Sequence, residues 1–318
     1  MYTIIYKKMQ QTTDTILMIR PVNFRMNEQT AVNNYFQEDL DIKNAEINAK
    51  AQTEFDAFVQ KLRAVGINVI VEDDDKLNDT PDSIFPNNWV SFHANGDIAK
   101  YPMFAENRRR ERRDEVFVRL EDEGFLIENI VDYTSAEQEG FFLEGTGSII
   151  LDRVNRKAYC ALSPRADEDL FIEFCEDFEY TPVIFTAYQT VEGNRLPIYH
   201  TNVMMCIAEK FAVICLDTID DKKERKNVVK HLKQDGKEII SITEKQMHQF
   251  AGNMLQLQGE NKQLYLIMSA SAHQSLTPNQ VKSIEKYCPI ISSTLETIET
   301  CGGGSARCMM AEVFLPKA

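Results

Sequence analysis

The sequence of 318 residues lacks the features that mark membrane, secreted and zinc-binding proteins. No apolar run approaches the roughly 18 residues that a membrane-spanning helix needs, and the first fifteen residues lack the apolar core of a signal peptide. Neither a CxxC nor an HxxxH pair occurs, which argues against a structural zinc site. The seven cysteines show no framework spacing, as is typical of reduced thiols. We therefore expect a cytoplasmic protein, with residues 1–15 as a flexible extension.

The chain also has fewer basic than acidic residues. Lys and Arg total 35 against 49 Asp and Glu, which gives a net charge of −14. This excess of acid argues against general binding to nucleic acids or to anionic membranes. Hydrophobic residues at 43% and charged residues at 26% are ordinary for a globular protein, and no low-complexity linker divides the chain. We therefore expect a single domain over residues 1–318 that acts on a small molecule.

One unit recurs along the chain: a β-hairpin, then a helix, then a further strand. The hairpins open at polar or reactive residues spaced 53 to 56 residues apart. These residues are Asn88, Glu144, His200, Asn253 and Cys308. A fixed period of this length indicates a closed or stacked repeat of α/β units. The last unit is incomplete, and its missing helix and strands lie near the N-terminus, so we expect the ring to close by pairing of the two chain ends.

Five equivalent units around an axis would bring these opening residues to one end of it. A thiol, an imidazole, a carboxylate and two amides that converge form the outline of a nucleophilic active site. A lone cysteine or histidine is more often a packed or satisfied core residue. The shared phase, and the triple glycine that precedes Cys308, favour a nucleophile there, with His200 as the acid–base group.

Other segments leave more than one interpretation open. Asp82 lies in PDSIFPNNW, which is either a ligand-contacting loop or a plain turn. The basic cluster ENRRRERRDEV, residues 106–116, either pairs with acids in solvent or supplies one or two arginines to a substrate carboxylate. Whether an arginine of 108–113 reaches the site stays open. Cys301 and the other cysteines outside the phase are expected to pack in the core or in a loop.

Five motifs in order resemble the guanidine-modifying superfamily of arginine deiminases, dimethylargininases and amidinotransferases. The motifs are PDSIFPNNW, LEGTGS, CALSPR, YHTN and GGGSARCM. The resemblance covers roughly residues 16–316 and is nearest to the arginine-deiminase-related branch that includes citrulline hydrolases. It implies a five-bladed α/β propeller of ββαβ units, the pentein fold. It also implies an amino-acid substrate, no cofactor, no metal, and a homodimer as the family expectation.

The resemblance implies a role for each residue that matches a family motif. Cys308 would be the nucleophile and His200 the acid–base histidine. Glu144 would hold the nitrogen atoms of the substrate and orient the histidine. Asp82 would contact the α-amino group of the substrate, and Arg165 would bind its α-carboxylate.

Two positions depart from the arginine-deiminase pattern, because Asn88 and Asn202 stand where deiminases carry aspartates. An amide cannot balance a guanidinium charge, but it can donate to a carbonyl oxygen while accepting from an N–H. That suits a neutral ureido group. Asn253 is expected to bind substrate because of its phase. We therefore expect a hydrolase that converts L-citrulline and water to L-ornithine, carbon dioxide and ammonia through a thiocarbamoyl-cysteine.

Other functions stay open at this point. An arginine deiminase or a dimethylarginine hydrolase would act on a guanidino group, and an amidinotransferase would pass an amidino group to an acceptor. A propeller that binds an amino acid without catalysis is the alternative that is not an enzyme.

Overall fold

The fold is taken from a computed structural model in which residues 9–318 are described. These residues form seventeen strands, eleven α-helices and five short 3₁₀ turns. The strands are β1 (Thr15–Arg20), β2 (Asn68–Asp73), β3 (Val90–Phe92), β4 (Asp97–Lys100), β5 (Asn129–Asp132), β6 (Ile149–Asp152), β7 (Lys157–Leu162), β8 (Thr181–Thr186), β9 (Tyr188–Val191), β10 (Asn194–Pro197), β11 (Met205–Ile207), β12 (Phe211–Ile214), β13 (Glu238–Ser241), β14 (Leu255–Gln258), β15 (Leu264–Ser269), β16 (Ile290–Ser293) and β17 (Ala311–Glu312). The α-helices are α1 (Glu28–Ala31), α2 (Asn44–Ala64), α3 (Glu106–Arg109), α4 (Glu115–Asp122), α5 (Gly145–Ser148), α6 (Glu168–Asp177), α7 (Lys222–Gln234), α8 (Glu244–Met247), α9 (Ala270–Ser275), α10 (Pro278–Glu285) and α11 (Glu296–Gly302).

Five three-stranded sheets within residues 9–318 repeat one topology. In each sheet two strands pair antiparallel, and the middle strand pairs parallel with the third. The sheets are β3-β4-β5, β6-β7-β8, β11-β12-β13, β14-β15-β16 and β17-β1-β2. This is the hairpin, helix and strand unit that the sequence predicts, and the chain is mixed α/β.

The sheet β17-β1-β2 joins the two ends of the described chain. Strand β17 runs antiparallel to β1, with Ala311 opposite Leu17, so the predicted pairing of the chain ends is present. Just before β1, Gln11 and Thr13 are buried, and the Thr13 hydroxyl donates to the Val313 carbonyl at 2.7 Å. The predicted flexible extension is therefore wrong for residues 11–15, while residues 1–8 lie outside the described residues.

Two segments depart from the regular unit. The first unit has two short helices, α3 and α4, in place of one, and two arginines of this region turn inward to backbone acceptors. Arg109 donates to the Met103 carbonyl at 3.0 Å and Arg112 to the Tyr101 carbonyl at 3.1 Å. The two-stranded ribbon β9-β10 is an addition to the unit just before His200.

No helix of residues 9–318 is long and apolar enough to span a bilayer.

The apolar side chains of the sheets and helices pack into separate buried clusters. One cluster contains Phe55 and Phe58 of α2 together with Met309 and Met310. Cys308 belongs to the same cluster. The thiol singled out by the sequence therefore stands on a rigid, close-packed base rather than on a loose terminus.

Candidate active site

The five residues in phase occupy equivalent places in their units, each in or beside a short turn before a hairpin strand. Asn88 ends a 3₁₀ turn, Glu144 precedes α5, His200 precedes a 3₁₀ turn, and Asn253 and Cys308 lie just before β14 and β17. All five side chains are buried, with exposed fractions of 3% or less. The repeat thus sets each polar group where its strand begins.

His200 and Glu144 form a buried pair. The imidazole Nε2 lies 2.7 Å from Glu144 Oε2. Burial lowers the pKa of His200 to about 4, although the hydrogen bond and charge of Glu144 act to raise it. His200 is therefore neutral, its Nε2–H donates to the carboxylate, and Nδ1 is left as the basic atom.

Glu144 is surrounded by donors and cations. Its Oε1 accepts from the Phe104 backbone N–H at 3.0 Å, and its Oε2 lies 3.5 Å from Nη1 of Arg165 and 3.8 Å from Nη1 of Arg108. Burial raises the pKa of the Glu144 carboxyl, but the Arg165 guanidinium and the hydrogen bond from His200 outweigh burial and hold that pKa below its usual value. Glu144 is an ionised, fully buried carboxylate.

Two asparagine amides meet at the Cys308 sulfur. Asn253 Nδ2 lies 3.1 Å from Sγ, and Asn202 Nδ2 lies 3.4 Å from it. The Asn253 Oδ1 accepts from the backbone N–H of Arg307 at 2.9 Å and of Cys308 at 3.4 Å, which fixes the direction of its amide. Asn253, expected to bind substrate, thus contacts the thiol itself. Donors of this kind stabilise a thiolate relative to a thiol.

Asn87 and Gly147 hold the wall of the site close to the thiol. In the orientation that its neighbours require, the Asn87 amide donates to the Cys308 carbonyl at 2.6 Å and accepts from the Gly147 N–H at 3.3 Å. A Cβ on Gly147 would lie 2.3 Å from Nδ2 of Asn88 and 2.8 Å from Nδ1 of His200. Position 147 therefore admits only glycine without displacing two site residues.

Arg108 answers the question left open for the basic cluster. It is 2% exposed, and its Nη1 donates to Oδ1 of Asn88 at 2.9 Å. Glu111 accepts two hydrogen bonds from the other side of the guanidinium, at 2.9 and 3.0 Å. Burial raises the pKa of Glu111 to about 8 despite that guanidinium. Because its oxygen is held by Arg108, the Asn88 amide turns its NH₂ group toward Gly147.

Asp82 presents a free oxygen in the buried site. Its Oδ2 accepts from Asn27 Nδ2 at 2.8 Å and from the Thr30 hydroxyl at 3.2 Å. Its Oδ1 has no hydrogen-bond partner among residues 9–318, and the same is true of Oδ1 of Asn202. Burial raises the pKa of Asp82. Unpaired buried acceptors are costly, so these two atoms are ready for donors of a ligand.

Arg165 lies at the same site but is engaged by protein groups. Its Nε donates to Oδ1 of Asn33 at 2.9 Å and its Nη2 to the Thr30 carbonyl at 2.9 Å. The guanidinium also lies over the Tyr199 ring, 4.9 Å from the centroid. The group expected to bind a substrate carboxylate is occupied by backbone and amide oxygens in this state.

Residues 27–38, here called the covering segment, close the site. Asn27, Thr30 and Asn33 contact Asp82 and Arg165 as described above. Further along, Asn34 and Gln37 contact the glycine loop, residues 301–304, and the Glu38 N–H donates to the Thr300 carbonyl just before it. Cys308 is itself only 3% exposed.

The structure places the sequence-predicted residues in two buried groups, which Asn87 and Gly147 link. Cys308 contacts Asn202 and Asn253, and His200 contacts Glu144, which lies beside Arg165. Arg108 links Glu144 to Asn88 and lies 3.8 Å from Asp82. Within residues 9–318 no three His, Cys, Asp or Glu side chains are grouped as metal ligands.

Several residues of the site were not singled out from the sequence. Asn87 stands beside Asn88 in the motif PDSIFPNNW, and Tyr199 stands beside His200. Their position next to a residue that opens a repeat unit was the signal that could have identified them. The covering segment offers no such signal, because its asparagines reach the site only through the tertiary fold.

Comparison with known proteins places these observations in a family. A family model described as N,N dimethylarginine dimethylhydrolase, eukaryotic, matches residues 20–315. Among solved structures, the arginine dihydrolase ArgZ of the ornithine–ammonia cycle in cyanobacteria is 15% identical with a TM-score of 0.70, covering 96% of this chain and 41% of ArgZ. Its separate N-terminal domain, a cysteine-to-serine mutant bound to substrate, is 15% identical with a TM-score of 0.67, covering 95% of this chain and 99% of that domain.

A dimethylarginine dimethylaminohydrolase, solved as a histidine-to-glycine variant in an adduct with S-methyl-L-thiocitrulline, is 15% identical with a TM-score of 0.60, covering 94% of this chain and 98% of that one. The chain spans about two fifths of full-length ArgZ. No curated protein sequence matches it. At these identities the solved structures show the shared fold, and the family model covers nearly the whole chain. The chain therefore belongs to the N,N dimethylarginine dimethylhydrolase family, within the pentein superfamily of guanidino-modifying proteins.

Proposed function

We propose that the protein is a cysteine-dependent hydrolase of an amino-acid ureido group, with L-citrulline as substrate. The observation that carries the proposal is the pair of oriented amides. Arg108 holds the oxygen of Asn88, so Asn88 offers its NH₂ as a donor. Asn202 gives its NH₂ to Cys308 and leaves Oδ1 free as an acceptor. A ureido group, with a carbonyl oxygen beside an NH₂, is complementary to one donor and one acceptor.

The charges around Glu144 support a neutral reacting group. This carboxylate already lies 3.5 Å from Arg165 and 3.8 Å from Arg108. A substrate guanidinium against the same carboxylate would face two like charges in a buried site, which is costly. A ureido group adds no charge, and its N–H groups can still donate to Glu144.

The first chemical step forms a covalent intermediate. Neutral His200 takes the proton of Cys308, and the sulfur attacks the ureido carbon. The C–S bond forms and the C–N bond to the ornithine side chain breaks, as His200 passes that proton to the departing nitrogen. The amides of Asn202 and Asn253 stabilise the sulfur while it is anionic.

The second step releases the enzyme. Water gives a proton to His200 while its oxygen attacks the carbamoyl carbon, and the C–S bond breaks. His200 returns the proton to the Cys308 sulfur, and carbamic acid decomposes to carbon dioxide and ammonia. Glu144 stabilises the imidazolium whenever His200 carries this proton.

The amino-acid end of the substrate would bind at Asp82 and Arg165, beside the covering segment. The free Oδ1 of Asp82 accepts from the α-ammonium, and the Arg165 guanidinium binds the α-carboxylate in place of Asn33. This exchange links substrate binding to movement of the cover.

The five-bladed propeller is proposed as the frame of this site. The first strands of neighbouring sheets touch, as β17 does with β3 and as β11 does with both β6 and β14. Such contacts support five blades in one domain around a common axis.

The homodimer implied by the resemblance stays a prediction, which sedimentation velocity checks.

A guanidino hydrolase is the second candidate. It is favoured by the match to the dimethylarginine dimethylhydrolase model and by the buried carboxylates Glu144 and Asp82. It would act on L-arginine or a methylated arginine and release citrulline, whereas the ureido hydrolase would release ornithine.

The products distinguish the two candidates. Purified protein is incubated separately with L-citrulline, L-arginine and asymmetric dimethylarginine, and ornithine, citrulline and ammonia are measured. Ornithine from citrulline supports the ureido proposal. Citrulline from arginine or dimethylarginine would overturn it.

The matched control separates the nucleophile from background activity. Cys308→Ala should abolish turnover, whereas Cys301→Ala, seven positions earlier in the same region, should retain it. Activity in Cys308→Ala would remove the covalent mechanism.

A further inference from the structure

Tyr199 is a buried side chain beside the site that the proposed chemistry leaves unused. It is 3% exposed, and its ring lies 4.6 Å from that of His200 and 6.0 Å, edge-on, from that of Phe36 in the covering segment. The Arg165 guanidinium lies over the same ring. Its hydroxyl donates to the Gly303 carbonyl in the glycine loop.

The glycine loop is held from two sides. From the covering segment, Asn34 donates to the Gly302 carbonyl at 3.3 Å and Gln37 donates to the Cys301 carbonyl at 3.1 Å. From the other side, Tyr199 is the one side chain outside the covering segment that donates to the carbonyls of residues 301–303, as far as the described chain extends.

The bonds from the covering segment and the bond from Tyr199 differ in whether they persist when the covering segment moves. The proposed replacement of Asn33 on Arg165 by substrate moves part of the covering segment, and the bonds from Asn34 and Gln37 are lost if these residues move with it. Tyr199 stays, because it belongs to the same stretch as His200 and its carbonyl is fixed by the Ser163 hydroxyl at 2.8 Å. Gly303 has a φ of +60°, a conformation that a freed glycine readily leaves.

We propose that Tyr199 is a positioning residue that keeps the glycine loop, and through it Cys308, in register with His200 while the covering segment is open. The Tyr199 hydroxyl does this through its hydrogen bond to Gly303, and the ring provides a fixed surface under Arg165. Tyr199 does not touch the reacting atoms and acts through the loop.

The effect on kinetics, which rests on the proposed function, follows because the bond from Tyr199 to Gly303 matters while the covering segment is open. Without the hydroxyl, only a fraction of the open enzyme has the loop in place, so substrate binding weakens by that fraction. Once the cover closes, Asn34 and Gln37 hold the loop again. Tyr199→Phe should therefore raise KM by about tenfold and change kcat by less than about twofold.

A second readout needs no substrate. Iodoacetamide alkylation of Cys308 without substrate, followed on the Cys308 peptide by mass spectrometry, reports how accessible the thiol is. Tyr199→Phe should speed this alkylation by about tenfold. The matched control is Tyr101→Phe, which removes another buried hydroxyl bond, to Ser91 at 2.7 Å, and should leave the rate unchanged.

The outcomes separate this proposal from the proposed function. If citrulline is not turned over, the function fails, while the alkylation rates still decide the role of Tyr199. An unchanged alkylation rate in Tyr199→Phe, or an equal rise in Tyr101→Phe, would overturn the positioning role. A fall in kcat with unchanged KM would overturn it as well, because the bond would then act in the closed state. Hydrogen exchange of residues 300–308 should rise in Tyr199→Phe at unchanged Tm, and a loss of Tm equal to that of Tyr101→Phe with no rise in exchange would contradict the proposal.

Discussion

At the scale of single residues, the orientation of each amide side chain in the site matters as much as its chemical type. Asn88, Asn202 and Asn253 are all asparagines, yet each is turned differently by a neighbour. Asn253 has its oxygen bound by two backbone N–H groups, so its NH₂ must face Cys308. A fixed amide costs little reorganisation when charge develops on sulfur.

Asn253→Ala should lower kcat by about one to two orders of magnitude, because one donor to the sulfur is lost and two N–H groups lose their acceptor. The rate at which iodoacetamide alkylates Cys308 at a fixed pH should fall in the variant, because the sulfur loses that donor. Asn95→Ala, in an exposed hairpin turn, is the control. An unchanged alkylation rate in Asn253→Ala would contradict the role given to this amide.

Gly147→Ala should abolish turnover while the fold survives. The added methyl group would lie 2.3 Å from the Asn88 amide and 2.8 Å from the His200 ring, so both must shift. Steady-state assay measures the loss, and circular dichroism checks the fold. Substantial remaining activity would show that the wall at position 147 tolerates a side chain.

The His200 ring should stay neutral well below the usual range. Its folded-state pKa of about 4 lies below its ordinary value of 6.5, since burial opposes the charge more than Glu144 favours it. The neutral ring therefore contributes to stability above about pH 6.5, and this contribution is lost as the pH falls toward 4. NMR titration of labelled histidine, with His200→Gln for assignment, should show no transition for His200 between pH 5.5 and 8. A midpoint near 6.5 in the empty enzyme would contradict the burial argument.

At the scale of elements, the covering segment engages two side chains that the proposed function assigns to substrate binding. Asn27 donates to Oδ2 of Asp82, and Asn33 accepts from Arg165. If an amino acid binds there as proposed, its carboxylate replaces Asn33 on Arg165.

Asn33→Ala should loosen the covering segment, because Arg165 loses the amide oxygen that accepts from two of its nitrogens. Cys308 alkylation should become roughly tenfold faster. Asn78→Ala, in a loop away from Arg165, is the control and should not change the rate. Equal rates in both variants would show that the segment does not limit access.

The repeat was predictable from the sequence, and the fine structure of the site was not. Five polar residues at a common spacing identify Glu144, His200 and Cys308 before any coordinates, because each opens the same unit. The partner of each amide depends on contacts between residues far apart, such as Arg108 on Asn88 or Asn253 on Cys308. The covering segment has neither a period nor a reactive side chain, so only tertiary contacts reveal it.

At the scale of the whole molecule, the sheet β17-β1-β2 ties the two ends of the described chain together. Its strand β17 begins three residues after Cys308, so the position of Cys308 depends on strand β1 from the opposite end. Stability and activity should therefore fall together when this sheet is weakened.

Leu17→Ala tests that dependence. Leu17 is fully buried in the central strand, so its truncation should lower the free energy of unfolding by about 3 kcal/mol. Leu77→Ala removes the same atoms at a position that is 90% exposed and should change it by less than about 0.5 kcal/mol. Urea denaturation of both variants measures the difference. Equal stabilities would mean that the terminal sheet does not hold the molecule together.

The central claim is that this site accepts a neutral ureido group and rejects a cationic guanidinium. The most direct measurement is competition, in which differently labelled L-citrulline and L-arginine are offered together and the ratio of their kcat/KM values is read from the labelled products. We expect a preference for citrulline on the order of 10³ or more, since a buried charge without a free counter-charge is strongly disfavoured. A ratio near one, or a preference for arginine, would contradict it.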